Sequence, residues 1–131
     1  MKFYSVLDKG AFSDVSDLAA DYKDGRAIGV VRIGKKNLFF RRMLKVYCIP
    51  FADIRRCYRR VVMVPARMCC GAGNLDIENI VIENGDGEIA QIEVPGRKAA
   101  VEMMKVLEER IPHAQFGCPP KASVSPALQE G

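Results

Sequence analysis

Residues 26–95 consist of short apolar runs separated by turn-forming residues, a pattern that restricts this part of the chain to β-strands joined by tight turns. Runs rich in β-branched and aromatic residues favour strands, and the Gly, Asn and Asp residues between them favour turns. The clearest turn signal is Asn84-Gly85-Asp86-Gly87, which is typical of a hairpin. We therefore predict about six or seven short strands in this region.

Individual segments predict their strands in different ways. The β-branched run in residues 26–34 is predicted as one strand that ends at a tight turn over residues 34–37. Pro50 cannot donate a hydrogen bond to a sheet, so it predicts either an edge strand or a strand break. Residues 54–64 partly fit a helix face, but their β-branched end favours a strand. The alternation of the acidic segment predicts a bulge near Glu78-Asn79.

Two amphipathic helices are predicted to flank the strands. Residues 14–22 repeat the helical spacing of apolar residues, and Ser13 or Asp14 can cap the start. Residues 97–111 form the clearer helix, which Pro112 ends. Its apolar face consists of Ala100, Met103, Met104, Leu107 and Ile111. A curled antiparallel sheet must cover one open end of its core, and a single helix with such a face suits that role.

Positive and negative charges occupy different parts of the sequence. The only acid between Arg26 and Arg67 is Asp53, whereas no Lys or Arg occurs between Asn74 and Glu93. This segregation predicts a positive field on one region and a negative field on another, which bears on partners rather than on the fold. The residues predicted to bind an anion or a partner are Lys35, Lys36, Arg41, Arg42, Arg55, Arg56, Arg59 and Arg60. A solvated sheet surface, with charges that protect strand edges, is the alternative interpretation.

Composition narrows the classes of function. The net charge of +4 is modest, so we do not expect nucleic-acid binding. No run approaches the roughly 18 apolar residues of a membrane span, and the N-terminus lacks the pattern of a signal peptide. The odd number of cysteines argues against a disulfide framework, and we expect a cytoplasmic location.

The sequence contains no motif that predicts catalysis, a cofactor or a metal. Adjacent Cys69 and Cys70 lack the spacing of zinc ligands, and Gly71-Ala72-Gly73 is too short for a phosphate loop. The only histidine, His113, follows a helix stop, where exposure is expected. We predict that the chain is not an enzyme; a cysteine thiolate enzyme is the remaining catalytic hypothesis, and thiol reactivity would test it.

The order of elements between residues 26 and 117 resembles the bacterial pleckstrin-homology-like domains. The resemblance rests on the turn and strand of residues 34–40, the segment of residues 49–54, a charged strand, the Gly85-Asp86-Gly87 hairpin and the helix of residues 97–112. It implies an α+β, mainly β fold: a half-open barrel of two antiparallel sheets, capped by a C-terminal amphipathic helix. Residues 1–25 would add an extra N-terminal helix, and residues 118–131 would form a flexible tail.

The same resemblance implies an interaction module. Eukaryotic relatives often bind inositol phospholipids through basic residues around the first hairpin, and Lys35, Lys36, Arg41 and Arg42 lie in a comparable place. Several bacterial members form rings or other homo-oligomers. Our first hypothesis is protein binding or self-assembly through the segregated basic and acidic faces. The alternative is peripheral binding to anionic membrane lipid, or another polyanion, through the basic hairpin and the Arg-rich strand.

Overall fold

The computed structural model describes residues 2–12, 16–65 and 74–117, except for the side chains at positions 64, 65, 74 and 75. Residues 66–73, the predicted cap of the first helix and the predicted tail lie outside the described ranges. The elements in chain order are β1 (Phe3–Ser5), α1 (Ser16–Lys23), β2 (Arg26–Ile28), β3 (Val31–Ile33), β4 (Asn37–Arg42), β5 (Lys45–Pro50), a 3-10 turn (Phe51–Asp53), β6 (Arg56–Pro65), β7 (Asn74–Asn84), β8 (Gly87–Val94), α2 (Arg97–Arg110) and β9 (Gln115–Phe116).

The strands form two sheets, which confirms the mainly β, α+β prediction. The first sheet has the strand order β1-β5-β4-β3-β2, and the second has the order β8-β7-β6-β9. The prediction that both sheets are antiparallel was wrong, because β1 pairs in parallel with β5 and β9 pairs in parallel with β6. Parallel neighbours need a long crossover connection, and in both cases the connecting chain contains a helix. The two sheets do not close into a barrel.

Several strand boundaries differ from the prediction. The single strand predicted over residues 26–34 is a hairpin of β2 and β3, because Gly29 turns the chain with φ +60°. The bulge lies between Ile82 and Glu83 rather than at Glu78-Asn79. The structure confirms that Pro50 ends a strand, that most of residues 54–64 lie in a strand, which runs over Arg56–Pro65, and that β7 and β8 form a hairpin.

The main core lies between the two sheets and α2. The helix contributes its predicted face, with Ala100, Met103 and Leu107 fully buried. Arg110 extends from the end of α2 and donates to the carbonyl oxygen of Gly34 at 2.9 Å, which fixes the helix to the turn before β4. Within the described ranges, neither helix is both long and apolar enough to cross a bilayer.

A second apolar cluster covers the opposite face of the first sheet. Phe39 points away from the main core, whereas its neighbours Leu38 and Phe40 point into it, because side chains alternate along a strand. Phe3 of β1 and Tyr22 of α1 pack against Phe39, with ring centroids 5.3 and 5.2 Å from it. The N-terminal segment therefore buries the second face of β4.

Candidate functional site

The four basic residues predicted to form one cluster around a hairpin lie at opposite ends of β4. Lys35 and Lys36 belong to the turn that enters the strand, and Arg41 and Arg42 lie at its far end. At about 3.3 Å per residue, roughly 17 Å separates Lys36 from Arg41 along the strand. The two pairs therefore belong to different surfaces of the molecule.

The turn at Lys35 and Lys36 already holds an anion from its own chain, the carboxylate of Asp21. Oδ1 of Asp21 accepts the backbone N–H of Lys35 at 2.7 Å, and Oδ2 accepts those of Lys36 and of the Asn37 side chain at 3.1 Å each. A Cβ atom at Gly34 would overlap the Asp21 carboxylate, so glycine is required for this approach. Asp17 and Asp24 of the same segment lie beside the two lysines. The Lys35 and Lys36 side chains therefore lie in a region that also carries three carboxylates.

The Arg-rich strand β6 is paired with the acidic strand β7, so the two charged segments of the sequence meet inside one sheet. Arg59 donates two hydrogen bonds to Oε1 of Glu78, at 3.0 and 3.1 Å, and one to Oε2 at 3.0 Å. The Glu78 side chain is only 8% exposed and lies on the same face as the core residue Ile80. This ion pair is therefore part of the packing beneath α2 and not a free surface charge.

The other arginines of this strand also have partners. Arg60 pairs with Glu88 at 3.1 Å and donates to the side-chain oxygen of Gln91 at 2.6 Å. The hydrogen bond to Glu88 raises the pKa of Arg60, and burial raises the pKa of the neighbouring Tyr58. Arg56 lies 3.7 Å from Glu83. The expected positive and negative faces are thus largely neutralised within the second sheet.

Arg55, just before β6, is held by the backbone rather than by an acid. Its guanidinium donates to the carbonyl oxygen of Ala52 at 2.7 Å, within the 3-10 turn. This contact orients the side chain but leaves its charge uncompensated.

The β4–β5 hairpin differs from both of these regions. Among the described residues, Arg41, Arg42 and Lys45 form no ion pair with a carboxylate. Arg42 donates to the Gln91 carbonyl at 2.7 Å and lies 5.3 Å from the ring centroid of Phe40, while Lys45 lies 4.9 Å from that of Tyr4. The two turn residues, Met43 and Leu44, are 89% and 99% exposed.

A cleft of about 510 Å³ opens beside this hairpin, between the end of β4 and the edge strand β8. Its floor contains the buried residues Phe40, Asn79 and Ile92. Arg41 and Glu93 also line it, without an ion pair between them. The hairpin therefore carries three cations, with Glu93 as the one acid that lines the cleft beside it.

Among the described residues, the cysteine and histidine side chains considered for catalysis are either buried or hydrogen-bonded to the backbone. Burial raises the pKa of both Cys48 and Cys57 to about 12, so these thiols are protonated at neutral pH. His113 donates from Nε2 to the carbonyl oxygens of Phe51 and Ile54, at 3.0 and 3.1 Å. No group of metal-binding side chains occurs within the described ranges. Cys69, Cys70 and Cys118 lie outside them.

The sequence reasoning missed four residues that define these surfaces: Asp21, Met43, Leu44 and Lys45. A signal for the last three was present, because an apolar pair between Arg41-Arg42 and Lys45 in a tight turn cannot be buried by its own hairpin. No protein-family model and no curated protein matches the sequence, and no solved structure matches the fold.

Proposed function

We propose that this chain is a non-catalytic interaction module of pleckstrin-homology-like architecture that docks on the anionic, cytoplasmic face of a membrane through its β4–β5 hairpin. Two packed sheets with a C-terminal helix against their shared core support the architectural part of the proposal. The protonated state of the two buried thiols supports the non-catalytic part.

One observation carries the choice of surface: at the hairpin, three basic side chains with no carboxylate partner among the described residues flank an exposed apolar turn. The Asp21 carboxylate occupies the backbone N–H groups of the turn at Lys35 and Lys36, and acids of β7 and β8 pair with the arginines of β6. Arg41, Arg42 and Lys45 are held by aromatic rings and backbone or are free, so they can face an external anion.

The expected binding is weak and depends on salt. Each basic residue near an anionic leaflet contributes about 1 kcal/mol, a factor of about five in affinity. Screening limits such attraction to about 8 Å at physiological ionic strength, so added salt should weaken it. Three cations are therefore enough for reversible docking but not for permanent attachment.

Vesicle co-sedimentation tests the proposal. The full chain is mixed with vesicles of phosphatidylcholine alone or with added phosphatidylserine, at low and near-physiological salt. We expect binding only to the anionic vesicles, with a loss as salt rises. The double variant Arg41→Glu with Lys45→Glu should abolish it, and Arg42 is left intact because it also bonds Gln91.

The matched control is Lys35→Glu with Lys36→Glu, which makes the same charge change at the opposite end of β4. We expect this control to retain most of the binding. Equal loss in both double variants would mean that net charge rather than the hairpin governs binding. Absence of binding to any vesicle would refute the proposal.

Self-association is a second candidate, favoured by a different observation. Val61 and Met63 of β6 and Val101 of α2 are large apolar side chains that lie partly in solvent and are not part of the β4–β5 turn. A contact between copies through these residues should strengthen with salt, whereas a contact through complementary charges should weaken. Sedimentation velocity at both salt concentrations distinguishes the two modes and detects a monomer.

A further inference from the structure

The tip of the β4–β5 hairpin is the most exposed apolar feature of the described chain. Leu44 is 99% exposed and Met43 is 89% exposed, and no other large hydrophobic residue in that part of the chain reaches these values. Single exposed apolar residues are common on protein surfaces and need no explanation. Two adjacent ones at a turn present a continuous apolar tip.

Folding alone does not account for these two residues. Met43 adopts φ +58°, a left-handed conformation that favours Gly, Asn or Asp and is costly for a side chain of this kind. Turns of this length usually carry those small or polar residues. Here the turn instead holds two large apolar side chains that gain nothing from burial in the monomer.

The surroundings of the tip indicate what could cover it. Arg41 and Arg42 precede the apolar pair, and Lys45 follows it directly. The neighbouring turn of β2 and β3 lies at the same end of the sheet, because the backbone N–H of Arg41 bonds the carbonyl oxygen of Val30 at 3.0 Å. Val30 is also exposed. The end of the sheet thus has an apolar tip flanked by three cations that have no ion-pair partner in the described chain. We call Arg41, Arg42 and Lys45 the collar.

We propose that Met43 and Leu44 form a wedge that inserts into the interface of an anionic lipid leaflet, with the three cations of the collar at the level of the lipid phosphates. This inference rests on the proposed function and adds to it the depth, the orientation and the residues of membrane contact. It commits to a lipid surface because the cations need anions around the tip, and a leaflet offers both anions and an apolar layer beneath them.

A two-residue wedge also meets the hydrogen-bonding requirement of a membrane. Backbone groups cannot enter hydrocarbon unpaired, so an irregular turn can place only its side chains there. The apolar faces of interfacial helices lie roughly 5–10 Å into the boundary between headgroups and acyl chains, and the two side chains of this turn need to reach no deeper than that. Such a depth keeps the turn's peptide groups hydrated and the guanidinium groups next to phosphate.

The first test removes the apolar pair and keeps every charge. The double variant Met43→Ser with Leu44→Ser should bind phosphatidylserine vesicles at least about tenfold more weakly than the wild type. The matched control, Val61→Ser with Met63→Ser, removes two exposed apolar side chains from β6 and should bind like the wild type.

The second test reports insertion directly. The chain contains no tryptophan, so Leu44→Trp supplies a single probe at the tip. Its fluorescence should shift to the blue on addition of anionic vesicles and be quenched by lipids with brominated acyl chains. Met63→Trp is the control and should show neither effect.

The outcomes separate this inference from the proposed function. Salt-sensitive binding that survives the double serine variant, with no quenching of Leu44→Trp, overturns the wedge and leaves electrostatic docking in place. Absence of binding by the wild type overturns both. A blue shift of Leu44→Trp that follows protein concentration without vesicles would show that a second copy covers the tip, which also overturns the wedge.

Discussion

Strand β6 and the β4–β5 hairpin carry similar arginine pairs, but they use them differently. Arg59 and Arg60 lie within the second sheet, where β7 and β8 place Glu78 and Glu88 against them. Arg41 and Arg42 lie at the end of the first sheet, where no carboxylate of the described chain pairs with them. Whether a basic run becomes internal ion pairs or a surface field therefore depends on its neighbours in the sheet.

The largest effect on folding is expected where this compensation is buried. Glu78→Gln would leave Arg59 charged beside the core with a neutral partner, and we expect the free energy of unfolding to fall by roughly 2–3 kcal/mol. Urea unfolding measures this change. Glu88→Gln is the matched control in an exposed pair, and it should cost less than about 1 kcal/mol.

Equal losses of unfolding free energy in the two variants would contradict the contrast between a buried and an exposed ion pair, because the position of Glu78 beneath α2 would then have no energetic consequence. Vesicle binding provides a second check. Since neither acid lies on the hairpin, both variants should bind anionic vesicles as the wild type does.

The sequence was sufficient for features that depend on local pattern. The hairpin of residues 84–87 and the long helix α2 follow from turn chemistry and apolar periodicity, and the structure confirms both. The short strands β1 and β9 have too few residues to show a period, and their parallel pairing depends on the chain that connects β1 to β5 and β6 to β9. Local pattern carries no information on such long-range pairing.

The surfaces were harder to predict for the same reason. The segregated charges of the sequence predict separate positive and negative regions, but the pairing of Arg59 with Glu78 depends on which strand lies beside β6 and in which register. Asp21 is likewise distant in sequence from the turn that it binds. Only the Met43-Leu44 tip could have been recognised locally, from an apolar pair at a turn between basic residues.

The second largest effect on the free energy of unfolding is expected at the turn before β4, which the Asp21 carboxylate binds. Asp21→Ala removes three hydrogen bonds to the turn, and we expect a loss of about 1–2 kcal/mol. Gly34→Ala should also destabilise the wild type, because its Cβ would overlap the Asp21 carboxylate. In the Asp21→Ala background the overlap disappears, so Gly34→Ala should cost less there. A double-mutant cycle by urea unfolding measures this coupling, and strict additivity would contradict the arrangement.

A smaller effect on stability is expected at Cys57, which points to the opposite face of β6 from its neighbour Arg56. Arg56 precedes Cys57, and a nearby cation ordinarily lowers a thiol pKa, yet burial raises that of Cys57 from 9.0 to about 12. The unfolded chain loses this proton near pH 9 and the folded chain keeps it until about pH 12. The contribution to stability is therefore complete below pH 9 and declines as pH rises above it.

We expect this thiol to account for about 1 kcal/mol of the decline in unfolding free energy between pH 8 and pH 10. Cys57→Ala should show a shallower decline, while other titrating groups affect both proteins equally. Parallel slopes would mean that the Cys57 thiol ionises in the folded protein as readily as in the unfolded one, which would contradict its burial in the core.

The smallest effect on folding is expected at the hairpin, where the largest effect on binding is proposed. Arg41→Glu with Lys45→Glu breaks no ion pair of the described chain, so unfolding free energy should change by no more than about 0.5 kcal/mol. Arg60→Glu, which places like charges at Glu88, should cost more. If the hairpin variant were the less stable of the two, its cations would belong to the folded network as those of β6 do. Charge held by the fold would then be unavailable to a membrane, and the difference between the two regions would vanish.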